Sequence, residues 1–188
     1  MYLQGKGGAD STDSFRYTAE RVVGEKPVFV KYAVLEGEEW LCGHRHDDVV
    51  HEVDMVVMIG MESGAVLRIR WILPGFDQGL EAVLDQAPPE GLNTVDVTRS
   101  EQWLPLIGHP VSEVAVAWHV PYEGRPRLPW SLRLTFDGYG SAVVALGEEQ
   151  DGTLVCHPTS LLVFFDEKAA RSFVNPDDSL SSWGEVLR

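Results

Sequence analysis

The chain has 188 residues and a mass of 20.9 kDa, and its 29 acidic against 15 basic residues give a formal charge of -14 and a pI near 4.7. With 44% hydrophobic and 23% charged residues it can bury a core, which excludes disordered, collagen-like and coiled-coil classes. The negative charge opposes docking on a phosphate backbone or an anionic membrane surface, and the longest apolar runs, Val53–Ile59 and Leu161–Phe165, are too short to cross a bilayer.

Residues 1–25 are expected to form a flexible or weakly ordered N-terminal segment; no apolar stretch of signal-peptide length occurs in it, so cytoplasmic residence is the default expectation. Residues 26–176 read as a single domain and 177–188 as a C-terminal tail anchored by Trp183 and Leu187. From Lys26 onward, Val28, Val30, Tyr32 and Val34 alternate with Phe29, Lys31 and Ala33 as a core strand. Glu36–Trp40 follows as a polar turn. Val53–Ile59 and Ala65–Leu73 are strand-like runs joined by Gly60–Gly64 as a hairpin, with Arg68 and Arg70 on one face of the second run. Phe76, Leu80, Val83 and Leu84 fit helical spacing, which predicts a surface helix over Gly75–Gln86.

Ala87–Thr98, with Pro88, Pro89 and Gly91, is expected to be a loop, and Thr98 with Glu101 has the spacing of a capping box before a short helix. Val114, Val116, Trp118 and Val120 define another strand, and the small residues Ala115 and Ala117 on its other face suggest a helix packed above them. Pro121–Pro129 reads as a basic loop carrying Arg125 and Arg127. Trp130–Asp137 and Ser141–Leu146 form the clearest hairpin, turned by Gly138, Tyr139 and Gly140. Leu154–His157 and Leu161–Phe165 are further strands, and Asp166 caps a helix containing Ala169, Ala170 and Phe173. The resulting fold class is α+β: a mostly antiparallel or mixed sheet of about eight strands with two to four short helices packed mainly on one side.

Chemistry-bearing residues are densest from Cys42 to Asp54. His44 and His46 have the period-two spacing that puts both imidazoles on one strand face, and His51 or Glu52 could complete a divalent-metal site. His44, His46 and Glu52 resemble the metal motif of cupins, but the gap from His46 to Glu52 is too long for that family and no second half of its site follows, so no membership is drawn. Cys42 and Cys156 are expected as thiols rather than a required disulfide; Cys42 with His44 and Cys156 with His157 have the residue types of a nucleophile and base, but adjacent strand side chains such as Cys156 and His157 point to opposite faces. Arg68 and Arg70 could together grip a small acidic ligand. No nucleotide-binding, nucleophile-elbow or zinc-finger spacing occurs.

The function expected from these features is a non-catalytic cytoplasmic protein-binding domain of the immunity, inhibitor or accessory kind. Its acidic surface would meet a basic protein through Asp47, Asp48, Glu52 and Trp40, with Arg125 and Arg127 as further binding residues. No cofactor is required by this reading, and a homodimer is compatible with it. The alternatives are a metal-assisted hydrolase or isomerase using His44, His46, His51 and Glu52, and an acidic-ligand-binding domain using Arg68 and Arg70.

Overall fold

Alternating side chains and tight glycine turns build two facing antiparallel sheets. The computed structural model describes residues 9–34, 45–46, 50–73, 77–85, 93–121, 123–175 and 181–187. Five strands, β1 (Pro27–Val34), β4 (Val56–Met61), β5 (Val66–Ile72), β6 (Gly79–Asp85) and β7 (Asn93–Asp96), form one sheet in the order β6-β5-β4-β1-β7. Seven strands form the second, in the order β14-β8-β9-β10-β13-β3-β2. These are β2 (Arg45–His46), β3 (Val50–Val53), β8 (Glu113–His119), β9 (Leu128–Phe136), β10 (Gly140–Leu146), β13 (Leu161–Phe164) and β14 (Glu185–Val186). A small ribbon pairs β11 (Glu148–Gln150) with β12 (Thr153–Val155).

The sheets pack face to face, with β6 against β9 and β10 and β1 against β3. One core runs through both layers: Val30, Tyr32, Val57, Ile59, Leu67 and Ile69 from the first sheet meet Leu132, Leu134, Val144 and Val163 from the second. Such a core supplies about 1.5–3 kcal/mol per fully buried large apolar side chain. The chain passes from the second sheet to the first between β3 and β4, and Trp71 Nε1 donates to the Asp54 carbonyl at 2.8 Å across that passage. A smaller cluster of Ala33, Val56, Met58 and Val66 packs with Phe29 and Met55. The Phe29 ring lies over Gly60, where an added Cβ would meet Phe29 Cε1 at 2.0 Å.

Helix α1 (Ala9–Val22) lies against β6, β8 and β9 and buries Phe15, Ala19 and Val22, whose spacing of four and then three residues is one helical face. Helix α2 (Glu167–Ser172) lies beside β13. Its N-cap Asp166 accepts from the Ala169 amide at 2.8 Å, as the sequence pattern predicts. Past its C-terminal end, Phe173 packs on Phe164 with ring centroids 5.1 Å apart.

The expected α+β class with two to four helices on one side is overturned: the described residues form a strongly sheet-dominated, two-layer structure with two α-helices, one beside each of different strand groups. The main reason is β6. Leu80, Ala82 and Leu84 satisfy period two as well as Leu80, Val83 and Leu84 satisfy period 3.6, and full antiparallel pairing with β5 from Val66↔Asp85 to Ile72↔Gly79 selects the strand. A second reason is β7, which occupies part of the segment expected as a proline-rich loop and pairs with β1 from Lys31↔Asp96 to Val34↔Asn93. After Thr98 the chain makes turns and a single 3-10 turn at Leu104–Leu106 rather than a capped α-helix. The β9–β10 hairpin stands as expected, in register from Gly140↔Phe136 to Ala145↔Ser131.

Candidate functional site

The residues singled out by sequence disperse in the fold. Trp40, Cys42, His44, Asp47 and Asp48 lie outside the described residues, and so does the side chain of His46 on β2. His51 and Glu52 are neighbours on β3 and therefore project to opposite faces. His51 is fully buried between the sheets. Its Nδ1 lies 2.9 Å from the Tyr32 hydroxyl and its Nε2 lies 3.2 Å from Gln102 Oε1. Trp103 Nε1 donates to the same hydroxyl at 2.6 Å. The indole N–H donates to the tyrosine oxygen, and Nε2–H faces the Gln102 amide oxygen, so the Tyr32 hydroxyl links Trp103 to the His51 ring. Phe165 closes over this chain, its ring 4.9 Å from His51 and 5.1 Å from Trp103. Both imidazole nitrogens are thus engaged by protein groups. Glu52, on the other face, accepts from the Glu149 amide at 3.4 Å.

Arg68 and Arg70 share a strand face, as expected, but each meets a carboxylate from β6. Arg68 pairs with Asp85, and Arg70 Nε donates to Glu81 Oε2 at 2.6 Å. Arg70 and Glu81 are direct cross-strand partners, so this pair follows from the register itself. Burial, with Arg70 alongside, holds the Arg68 guanidinium below its ordinary pKa. Arg133, buried in β9, donates to Glu113 Oε1 at 2.7 Å and stacks 4.1 Å from the Trp183 ring centre. Burial lowers its pKa too, while Glu113 works in the opposite direction.

The constellation with unused chemistry lies where β6 begins and β8 ends. His119, the last residue of β8, is cross-strand partner to Leu128, and Leu128 Cβ approaches within 3.1 Å of where a Gly79 Cβ would stand. This contact between the sheets brings the Gln78 carbonyl to His119. His119 Nε2 donates to the Gln78 carbonyl at 2.7 Å, since a carbonyl only accepts. Asp77 Oδ2 faces Arg125 Nε at 3.3 Å. Asp77 and His119 are 6% and 4% exposed, yet Asp77 Oδ1 and His119 Nδ1 have no hydrogen-bond partner. Two buried polar atoms are thus without partners, and the Arg125 guanidinium beside Asp77 is half-exposed. Arg127, further along the same loop, lies 5.9 Å over the Trp118 ring.

Sequence reasoning placed Arg125 and Arg127 in a recognition loop but passed over Asp77 and His119. Asp77 precedes a segment with ambiguous periodicity, and nothing local to His119 marks its meeting with Gln78, 41 residues away in the chain. Among the described residues no group of three or more His, Cys, Asp or Glu side chains is arranged to hold a metal, and no helix is long and apolar enough to cross a membrane. Comparison with protein-family models, with curated proteins and with solved structures gives no match to this chain.

Proposed function

We propose that the chain is a non-catalytic binding domain whose partner is a basic protein. The observation that carries this reading is the excess of carboxylates over basic residues, six of the fifteen basic side chains being matched within the chain. Arg68, Arg70, Arg125, Arg133, Arg171 and Lys26 are each matched with a carboxylate of the same chain. Acidic residues outnumber basic ones by 29 to 15, so this pairing leaves a surplus of carboxylates with no basic counterpart in the chain. A field of one sign accelerates encounter with a partner of the opposite sign and disfavours like-charged competitors. The acidic residues Asp47, Asp48 and Glu52 and the aromatic Trp40 are the proposed contact region, with the loop carrying Arg125 and Arg127 at a second edge.

The test is a panel of folded basic and acidic domains of matched size, assayed against the full chain at low ionic strength. Saturable binding confined to basic domains, weakened by the double reversal Asp47→Lys and Asp48→Lys, is the expected result. Binding with no preference for charge, or none at any salt concentration, overturns the reading.

A further inference from the structure

We infer that the basic partner docks on the end of the sandwich where the 3-10 turn Leu104–Leu106 meets the β9–β10 turn, and that Tyr139 receives a guanidinium or ammonium of that partner on its open ring face. The inference rests on the basic-partner reading and gives that reading an anchor among the described residues. Single exposed apolar side chains are ordinary, whereas several held together at one place mark an interaction surface. Leu104 is 57% and Tyr139 52% exposed, and Pro105 and Pro110 are exposed as well. The two turns are fixed against each other. Tyr139 stacks on the half-buried His109 with ring centroids 3.3 Å apart and planes 18° from parallel. The His109 amide donates to the Leu106 carbonyl at 3.4 Å, and Leu106 Cδ2 lies 3.8 Å from where a Gly140 Cβ would stand. Gly138 and Gly140, at φ +77 and +124, bracket Tyr139 in the turn that presents it.

Charge selects the occupant. Asp137 in the β9–β10 turn and Glu101 in the turn before Leu104 are exposed, and neither makes an ion pair among the described residues. Arg99, two positions before Glu101, has Asp96 as a counter-charge. The imidazole covers one face of Tyr139, so the exposed half of the side chain is the other face and the hydroxyl edge. The face of an aromatic ring attracts a cation, and tyrosine and arginine are prominent among the residues that dominate interface energies. A second copy of the chain is the poorer occupant, because it brings the same carboxylates and the same charge of -14. The strand registers also put this surface beside the acidic contact region proposed above. Val143 pairs with Phe164, Phe164 with Val50 and Val50 with His46. His46 and Val50, which flank Asp47 and Asp48 in the chain, therefore lie toward the same end of the seven-stranded sheet as the β9–β10 turn.

The experiment measures the affinity of the full chain, by calorimetry, for the basic domain of the panel that binds it most tightly, in wild type and in four variants whose thermal unfolding is recorded alongside. Tyr139→Ala should weaken binding at least about tenfold, the scale of an interface hot spot, and Leu104→Ala several-fold. Tyr139→Phe keeps the ring face and should bind within about threefold of wild type. Tyr17→Ala, which removes an equally exposed tyrosine from α1, should bind as wild type does. Because Tyr139→Phe preserves the ring that stacks on His109, full binding by that variant beside loss in Tyr139→Ala supports the aromatic contact, and equal loss in both overturns it. Wild-type affinity in Tyr139→Ala overturns the docking site while leaving the basic-partner reading standing. Failure of every basic domain to bind the wild-type chain removes that reading and the docking site with it. Sedimentation of the wild type as a dimer that Tyr139→Ala converts to monomer would assign the surface to a second copy and overturn the basic occupant.

Discussion

The Tyr32 hydroxyl and His51 Nδ1, buried and 2.9 Å apart, join the five-stranded sheet to the seven-stranded sheet. A histidine that the sequence offers to metal chemistry is thereby a clamp between layers, with Trp103 and Gln102 extending the same chain of hydrogen bonds. Tyr32→Phe keeps the ring but removes the bonds to His51 and Trp103. The expected loss is about 1–3 kcal/mol, or roughly 2–4 °C in Tm per kcal/mol for a chain of this size. Urea unfolding measures it, and a change within error of zero would show that the clamp contributes nothing.

The second sheet closes against a glycine. Gly184 has φ +66, and an added Cβ there would stand 2.6 Å from the Val116 carbonyl carbon and 2.8 Å from the Ala117 amide nitrogen. Backbone cannot retreat as a flexible side chain can, so Gly184→Ala should push β14 off β8 and carry Trp183 away from Arg133. The expected cost is at least about 1–3 kcal/mol from strain at this conformation, with quenching or a shift of Trp183 fluorescence. Wild-type stability in this variant would contradict the packing described at this edge.

Asp96 carries a pH dependence of definite sign. Hydrogen bonds from the Thr98 side chain and amide, the latter 2.9 Å from Oδ1, hold its carboxyl below the ordinary value of 3.8. A carboxyl depressed in the folded state contributes stability above its unfolded pKa, and that contribution disappears as pH falls through the lower folded value. Asp96 is largely exposed, so the effect is limited to less than about 1 kcal/mol. Wild type should therefore exceed Asp96→Asn in stability near neutrality, with the gap shrinking below pH 3.8. A gap that widens on acidification would contradict the assignment.

Arg68 and Arg70 are already occupied by Asp85 and Glu81, so inorganic phosphate and small dicarboxylates should not stabilise the wild-type chain. Releasing the arginines with Glu81→Gln and Asp85→Asn should make thermal stability respond to phosphate for the first time. Thermal scans across a phosphate series check both halves; stabilisation of the wild type abolished by Arg70→Gln would restore the anion-binding alternative.

What was legible in the sequence depended on how many periods a segment could satisfy. Leu132, Leu134 and Phe136, followed by Gly138, permit only a strand and a tight turn, and β9–β10 forms as read. Asp166 before Ala169 and Ala170 marks the start of α2 by capping chemistry alone. Gly79–Asp85 satisfies both helical and strand spacing, and the decision comes from β5 alongside, a tertiary term absent from the local pattern. That single ambiguity also concealed the site chemistry. Read as a helix, the segment leaves Arg68 and Arg70 open; paired as a strand, it sets Glu81 directly opposite Arg70 and brings Asp85 to Arg68. The hydrogen bond from His119 to the Gln78 carbonyl joins the end of β8 to the residue before β6, in different sheets, so no sequence window contains it.

The most direct test of the basic-partner account is the association rate of the chain with a basic domain recovered from the binding panel, measured by stopped flow across a salt series. The account predicts a rate that falls steeply as the Debye length shortens from about 30 Å at 0.01 M salt to about 8 Å at 0.15 M, with a shallower dependence after charge reversal at Asp47 and Asp48. A rate independent of salt, or identical before and after reversal, would contradict it.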